Sequence, residues 1–203
     1  MKPKTRLLIA VILALVAAGG VTAGALFLAG GRAGMTASGT ALIGGPFSLI
    51  AADGSAVSDR TYRGKWQIIY FGYTYCPDAC PVALTKLSLA LEKLGADASK
   101  LQALFITVDP ERDTQQVLSE YLKSFDSRIV GLTGSKAQID DVAKEFRVYV
   151  APQKTDGDDY LVDHGAYAYV VNPQGKFANV IAGDAAGAEM AKKLREMIAH
   201  PGT

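Results

Sequence analysis

Two cysteines occur in the 203 residues, and they stand four positions apart as Cys76 and Cys80 in Gly72-Tyr73-Thr74-Tyr75-Cys76-Pro77-Asp78-Ala79-Cys80-Pro81. Residues four apart on a helix keep their Cβ atoms about 5–6 Å apart, whereas a disulfide needs about 3.5–4.5 Å. A disulfide can still form if the turn relaxes, but two thiolates held at that distance are well placed to share one soft ion. Thiolates select Cu(I), zinc or iron–sulfur chemistry, and imidazole suits copper and zinc, so histidine becomes the next question. Only His164 and His200 exist. His200 lies at the foot of a helical pattern over residues 185–199, where ordinary helix-end chemistry accounts for it. His164, in Leu161-Val162-Asp163-His164-Gly165, stands where a hairpin gives way to a strand signal over residues 166–171. A lone histidine is usually a structural hydrogen-bonding group, but this context favours a third ligand.

The elements that must position these groups are legible. The apolar run at residues 67–71 feeds directly into the cysteine turn. A buried strand entering a proline-punctuated Cys-x-x-x-Cys turn is the layout of a thioredoxin-like reactive loop with one residue more between the cysteines. In such a fold the loop entering a later strand faces the cysteine loop and normally carries a cis-proline. This chain has no proline between Pro152 and Pro173, and His164 falls in that stretch. Residues 47–50 with the Asp53-Gly54 turn predict an N-terminal hairpin. Residues 66–71 and 101–108 read as central strands covered on both faces. Between them Leu84, Leu87, Leu91 and Leu94 give helical spacing over residues 81–94. Pro81 suits the first turn, so the cysteines are expected to flank an irregular or 3₁₀ turn leading into this helix. Asp113 is expected to cap a helix reaching Phe125. Ser135 with Gln138 forms a capping-box pattern for a helix reaching Phe146. Further strands are expected at residues 128–132, 147–150, 166–171 and 177–181, with residues 153–159 as a polar hairpin tip and Asp184 capping a final helix. The expected architecture is α/β, a thioredoxin-like mixed sheet sandwiched by helices.

Three motifs together carry a family resemblance: the cysteine segment, then Thr107-Val108-Asp109-Pro110-Glu111-Arg112-Asp113-Thr114, then Val162-Asp163-His164. In this order, after an apolar N-terminal segment, they resemble the Sco/SenC family of copper chaperones, over residues 44–199. The resemblance implies that Cys76, Cys80 and His164 are copper ligands and that the chain assists assembly of the dinuclear copper centre of cytochrome c oxidase subunit II. Where that family often has serine after the histidine, this chain has Gly165, a departure that removes no ligand.

Residues 7–31 carry no charge, and 25 residues at about 1.5 Å each are long enough to cross a hydrocarbon core of roughly 30 Å. A transmembrane helix is expected here, residues 1–31 forming the anchor, 32–45 a flexible Gly/Ala/Ser/Thr tether and 46–203 the copper-binding domain. A cleavable leader ending near Ala23-Gly24-Ala25 is the alternative, and the apolar run is long for it. Gly20 and Gly24 make a GxxxG pair, weak evidence for dimerisation in so small-residue-rich a segment. Lys2, Lys4 and Arg6 precede the segment and only Arg32 follows closely, which predicts an N-terminus in the cytoplasm and a domain outside it. With few arginines and no Ser/Arg-rich amphipathic leader ahead of the apolar run, the expected location is a bacterial inner membrane with the domain in the periplasm. That compartment is oxidising, so metal loading must compete with disulfide formation, and thiol reductants or other periplasmic copper chaperones become candidate partners. Setting those three leader cations aside leaves 18 of the 21 Lys and Arg residues against 20 Asp and Glu. So even a balance offers no basic footprint for nucleic acid.

Polar neighbours of the motifs carry two readings each. Asp78 could be a weak ligand or supporting group, or an ordinary helix-start cap. Asp163 could hydrogen-bond the imidazole and fix its tautomer, or merely end the hairpin. Asp109, Arg112 and Asp113 fit a strand-end Asp-Pro turn with a helix cap. Tyr73 and Tyr75 suit packing around the site. Three functions compete. The first is copper delivery. The second is thiol–disulfide reduction of the oxidase subunit's cysteines, with Cys76 and Cys80 as the redox-active pair. The third is a peroxiredoxin-type peroxidase, which lacks its signature because Thr74 is only two residues before Cys76. Zinc competes for the ion, but only three protein ligands are convincing and a dithiolate suits Cu(I), so copper, as Cu(I) or Cu(II), is the expected cargo.

Overall fold

The structure is a computed structural model and describes residues 43–155 and 159–200. The expected membrane span, and the tether as far as residue 42, lie outside the described residues. Among those described, no helix is long and apolar enough to cross a membrane. The chain divides into units Met1–Thr40 and Ala41–Thr203, and the second carries all of the described elements.

The centre of that unit is a strand pair whose every residue but one is buried. Strand β3 (Trp66–Gly72) runs parallel to β4 (Leu101–Thr107), with Trp66 opposite Leu101 and Gly72 opposite Thr107. Such uninterrupted apolar runs form strands covered on both faces rather than alternating ones. Helix α1 (Ala79–Leu94) makes the crossover between them, burying Leu84, Leu87, Leu91 and Leu94. Each of these leucines contributes about 1.5–3 kcal/mol through removal from water. A 3₁₀ turn (Gly95–Lys100) leads into β4. On the other side of β4 lies β5 (Ile129–Thr133), also parallel, reached through α2 (Gln115–Leu122). The N-terminal hairpin forms as expected from β1 (Ser48–Ala51) and β2 (Ala56–Ser58), antiparallel to each other, with β1 antiparallel to β5.

After α3 (Lys136–Glu145) the chain leaves the main sheet for a two-stranded hairpin, β6 (Val150–Lys154) and β7 (Tyr160–His164). It returns in β8 (Tyr167–Val171), antiparallel to β3, then β9 (Phe177–Ala182), and ends in α4 (Gly187–Ala199) packed beside α1. The main sheet therefore has seven strands in the order β2-β1-β5-β4-β3-β8-β9. It is the expected mixed α/β sheet with flanking helices.

Several local expectations are corrected. Helix α1 starts at Ala79, so Cys80 is already helical and only Cys76 lies in the turn before it. Thr114, not Asp113, caps α2 by accepting from Val117 N, and α2 ends at Leu122 rather than Phe125. Ala186 precedes α4 without a side-chain cap, so Asp184 plays no capping part. The strand expected at residues 147–150 begins only at Val150, because Arg147 takes a left-handed φ of 55° that breaks extended backbone. Gln153 and Lys154, expected in the hairpin tip, pair with Leu161 and Tyr160 instead. The capping box of Ser135 and Gln138 is present, with Phe146 closing α3. No peptide bond among the described residues is cis.

Candidate metal centre

Three segments distant in sequence deliver the three candidate ligands. Strand β3 ends at Gly72, and the turn after it carries Cys76. Cys76 N donates to Tyr73 O at 3.3 Å, and Cys80 N, in the first turn of α1, donates to Cys76 Sγ at 3.3 Å. The helix start thus aims an N–H at the first sulfur, an arrangement that favours thiolate. Gly72 has a steric reason to be glycine: a Cβ there would stand 2.7 Å from Cys80 Sγ and 2.8 Å from the Phe105 ring. The missing side chain is the space that the second sulfur occupies.

His164 closes the set from the end of β7. Its Nε2 lies 3.3 Å from Cys80 Sγ, and its Nδ1 lies 3.1 Å from Gly165 O. A carbonyl only accepts, so Nδ1 carries the proton and Nε2 turns its lone pair toward the sulfurs. Tyr70 and Tyr73 meet the imidazole edge-on at 6.1 and 5.8 Å, fixing its plane. One ligand atom from each of Cys76, Cys80 and His164 lies within 4.8 Å of the other two.

The two thiols are unbonded and unequal. Cys76 is partly exposed and Cys80 fully buried. The adjoining Cys80 thiol, with backbone N–H groups and against the opposing effect of burial, holds Cys76 well below the ordinary thiol range. The Cys76 sulfur and burial push Cys80 the other way. The pair therefore rests as one accessible thiolate beside one buried thiol.

A supporting network ties the three segments together. Asp113 is buried and accepts from Thr74 N at 3.0 Å, Thr74 Oγ1 at 2.6 Å and Thr107 Oγ1 at 2.6 Å, so it pins the cysteine turn to the end of β4. Burial raises its pKa, and those same donors oppose the rise. Arg112 pairs with buried Asp109, and its Nη1 donates to Asp159 Oδ1 and to Tyr160 O, both at 2.9 Å. Its guanidinium lies 3.8 Å from the Tyr160 ring centroid and 4.7 Å from that of Tyr75. Tyr160 Oη donates to Asp109 Oδ1 at 2.7 Å, while Val162 N donates to Tyr73 Oη at 3.2 Å. The hairpin that ends in His164 is thereby clamped to the loops that carry Cys76 and Asp109.

The polar residues singled out for support are placed differently. Asp78 occupies the helix N-cap position, yet its side chain makes no capping hydrogen bond. The Asp163 carboxylate accepts from Gln153 Nε2, and the imidazole's own partner is Gly165 O. Gly165 has open space where a side chain would stand, consistent with a tolerated departure at that position. Sequence reasoning misses the roles of Gly72, Asp113 and Tyr160. Gly72 carries a usable signal, since a glycine ending a buried strand often marks a close approach.

Fold and site define a class: a mixed α/β domain presenting two sulfurs and one imidazole nitrogen, a donor set able to hold a soft metal ion. The SCO1/SenC family model matches residues 35–199, so the chain belongs to that family. It is 43% identical over 142 residues to the human mitochondrial SCO1 homolog, covering 68% of this chain and 47% of that protein. It is 46% identical over 141 residues to the mitochondrial SCO1 homolog 1 of Arabidopsis thaliana. The chain spans roughly half the length of the curated relatives it matches, 42–56% for three of them. Among solved structures, copper-bound ScoI of Bradyrhizobium japonicum is 42% identical with a TM-score of 0.72, covering 76% of this chain and 98% of that one. Copper-bound yeast Sco1 is 39% identical with the same TM-score, over 78% and 90%.

Proposed function

We propose that this chain is a membrane-anchored copper metallochaperone with a thioredoxin-like domain. It takes up copper as cargo through Cys76, Cys80 and His164 and passes it to the dinuclear centre of cytochrome c oxidase subunit II, from the periplasmic face of a bacterial inner membrane. The observation that carries this reading is the convergence of the three donor atoms within 4.8 Å, with both cysteines as free thiols. Relatives solved with copper bound, at about 40% identity, support copper as the ion. Two sulfurs and a nitrogen leave the ion exposed at one side, because Cys76 and His164 are only partly buried. That is the geometry a carrier needs and a closed structural zinc site avoids.

A second reading draws on the unequal thiols. An accessible thiolate beside a buried thiol is also the layout of an attacking and a resolving cysteine, as in a thiol–disulfide reductant for the same subunit. His164 separates the two, since ligation needs its Nε2 and exchange does not.

The deciding experiment is metal analysis of the reduced full chain beside its His164→Ala variant. The reduced chain should hold about one copper and, with Cu(II), show intense thiolate-to-metal absorption. The variant should retain markedly less, and oxidised chain should bind little, because a disulfide offers no thiolate. Equal uptake by oxidised and reduced chain would rule the site out.

A further inference from the structure

Two carboxylates are buried just after β4, and only one of them has a cation. Asp109 is 4% exposed and pairs with Arg112. Asp113 is 0% exposed and forms no ion pair among the described residues. Its partners are all uncharged: Thr74 N at 3.0 Å, and the Thr74 and Thr107 hydroxyls at 2.6 Å each. Thr107 Oγ1 also accepts from Asp109 N at 2.9 Å, which leaves its own proton for Asp113. Hydroxyl-to-carboxylate bonds are about 2.5–2.7 Å long, shorter than neutral ones, so both hydroxyl contacts mark Asp113 as ionised. A buried carboxylate without a cation is costly to the fold, and three donors only partly offset that cost.

That charge stands close to the second sulfur. Thr107 lies opposite Gly72 in the register of β3 and β4, and residues so paired project to the same face of the sheet. Cys80 Sγ fills the place of the missing Gly72 side chain, 2.7 Å from where its Cβ would be. One threonine therefore lies between the Asp113 carboxylate and Cys80 Sγ, and the carboxylate adds to the upward push on the Cys80 thiol. Neighbouring strands are about 4.8 Å apart, and at twice that distance, with an effective dielectric of about 20, one fixed charge alters an equilibrium about tenfold.

The charges fix the direction of the effect. The reduced, metal-free pair carries one negative charge, as a thiolate and a thiol. Cu(I) displaces the Cys80 proton and leaves that total unchanged, whereas Cu(II) brings it to zero. A fixed negative charge nearby is therefore indifferent to Cu(I) and favours Cu(II), while thiolates left to themselves select Cu(I). We propose that Asp113 tunes the ligand set through its charge, offsetting the sulfurs' preference for Cu(I) so that the site also holds Cu(II), and making a Cys76–Cys80 disulfide harder to reduce. The copper half rests on the copper-delivery reading, and the disulfide half needs no metal.

Asp113→Asn removes the charge and can keep all three contacts, its amide oxygen accepting from Thr74 N and Thr107 Oγ1 and its amide nitrogen donating to Thr74 Oγ1. The first measurement equilibrates the metal-free full chain with reduced and oxidised dithiothreitol at about pH 8. Two electrons pass from the reagent's dithiol, which closes to its own disulfide, to the Cys76–Cys80 disulfide, which becomes a thiolate and a thiol with release of one proton. Asp113→Asn should favour the reduced chain about tenfold, a rise of about 30 mV in its potential. The second titrates the copper-loaded full chain with redox dyes. The one-electron Cu(II)/Cu(I) potential should rise by about 59 mV for the same tenfold change, with Cu(I) retention against a chelator unaltered. Thr107→Val withdraws a donor and leaves the charge in place, so it should lower both potentials, whereas disturbed packing would move the two variants alike. Potentials unmoved by Asp113→Asn, or raised by Thr107→Val, would overturn the proposal. If the unsubstituted chain holds no copper, the delivery reading fails, and the dithiothreitol equilibrium alone decides what Asp113 does.

Discussion

Cys76 and Cys80 share a helix start but not an environment, and that inequality sets their chemistry. Cys76 Sγ receives the Cys80 N–H and is partly exposed, while Cys80 is fully buried with its Sγ against the bare backbone of Gly72. The folded chain therefore lowers the pKa of Cys76 below its unfolded value. A group shifted in that direction contributes stability that is fully present above the unfolded pKa and is lost as pH falls through the folded one. The same shift governs reactivity. At about pH 6 an ordinary thiol, with pKa near 8.5, is almost wholly protonated. The reduced protein should nonetheless be alkylated by iodoacetamide at that pH, at Cys76 and not at Cys80, as read by mass spectrometry of the digested product. Labelling that starts at Cys80, or needs alkaline pH, would contradict the assignment of the thiolate.

At the scale of elements, the site depends on a hairpin that belongs to no larger sheet. Strands β6 and β7 pair only with each other, so His164 is held by side chains rather than by a ladder to β8. Arg112 is the principal clamp, bonding Asp109, Asp159 and the Tyr160 carbonyl. Breaking a buried ion pair by removing one partner costs about 3–5 kcal/mol, and Asp109 is 4% exposed. Arg112→Ala should therefore lower the thermal midpoint of the reduced protein and hasten copper loss to a chelator, with Arg112→Lys intermediate because one ammonium cannot replace the guanidinium fork. Copper retention that survives while stability falls would show the hairpin held by other contacts. This network also marks the limit of what the sequence reveals. The pair β3 and β4, helix α1 and the capping box of α3 are written in local patterns of apolar spacing and cap residues, and they are legible. Asp113 looks like a cap because a carboxylate before a helix usually is one, yet its oxygens go to Thr74 and Thr107, partners chosen by the folded topology. Asp184 misleads in the same way, with the helix starting after Ala186. Apolar pattern alone starts strand β6 three residues early because Val148 and Val150 look extended, while the turn at Arg147 and the exposed Pro152, Gln153 and Lys154 of the real strand give no apolar run.

For the molecule as a whole, residue type and spacing single out the candidate ligands, but their convergence is a property of the fold, which brings His164 across 84 residues to Cys80. On the proposed reading, an anchor and tether hold this domain at a membrane where its dithiol is exposed to oxidation, so delivery and reduction use the same two sulfurs. Cysteine substitutions cannot separate the two roles, since losing Cys76 or Cys80 abolishes both. His164 can, because its Nε2 serves the ion and a thiol–disulfide exchange makes no demand on it. In membranes containing normal amounts of the His164→Ala protein, copper in oxidase subunit II should fall severalfold, while the thiols should still react with a disulfide at close to the unsubstituted rate. Copper measured in purified oxidase, beside a thiol-exchange assay on the same membranes, gives both readings at once. Full metallation of subunit II with His164 absent would exclude ligand-based delivery. It would leave exchange by Cys76 and Cys80 as the working chemistry, with the imidazole reduced to packing against Tyr70 and Tyr73.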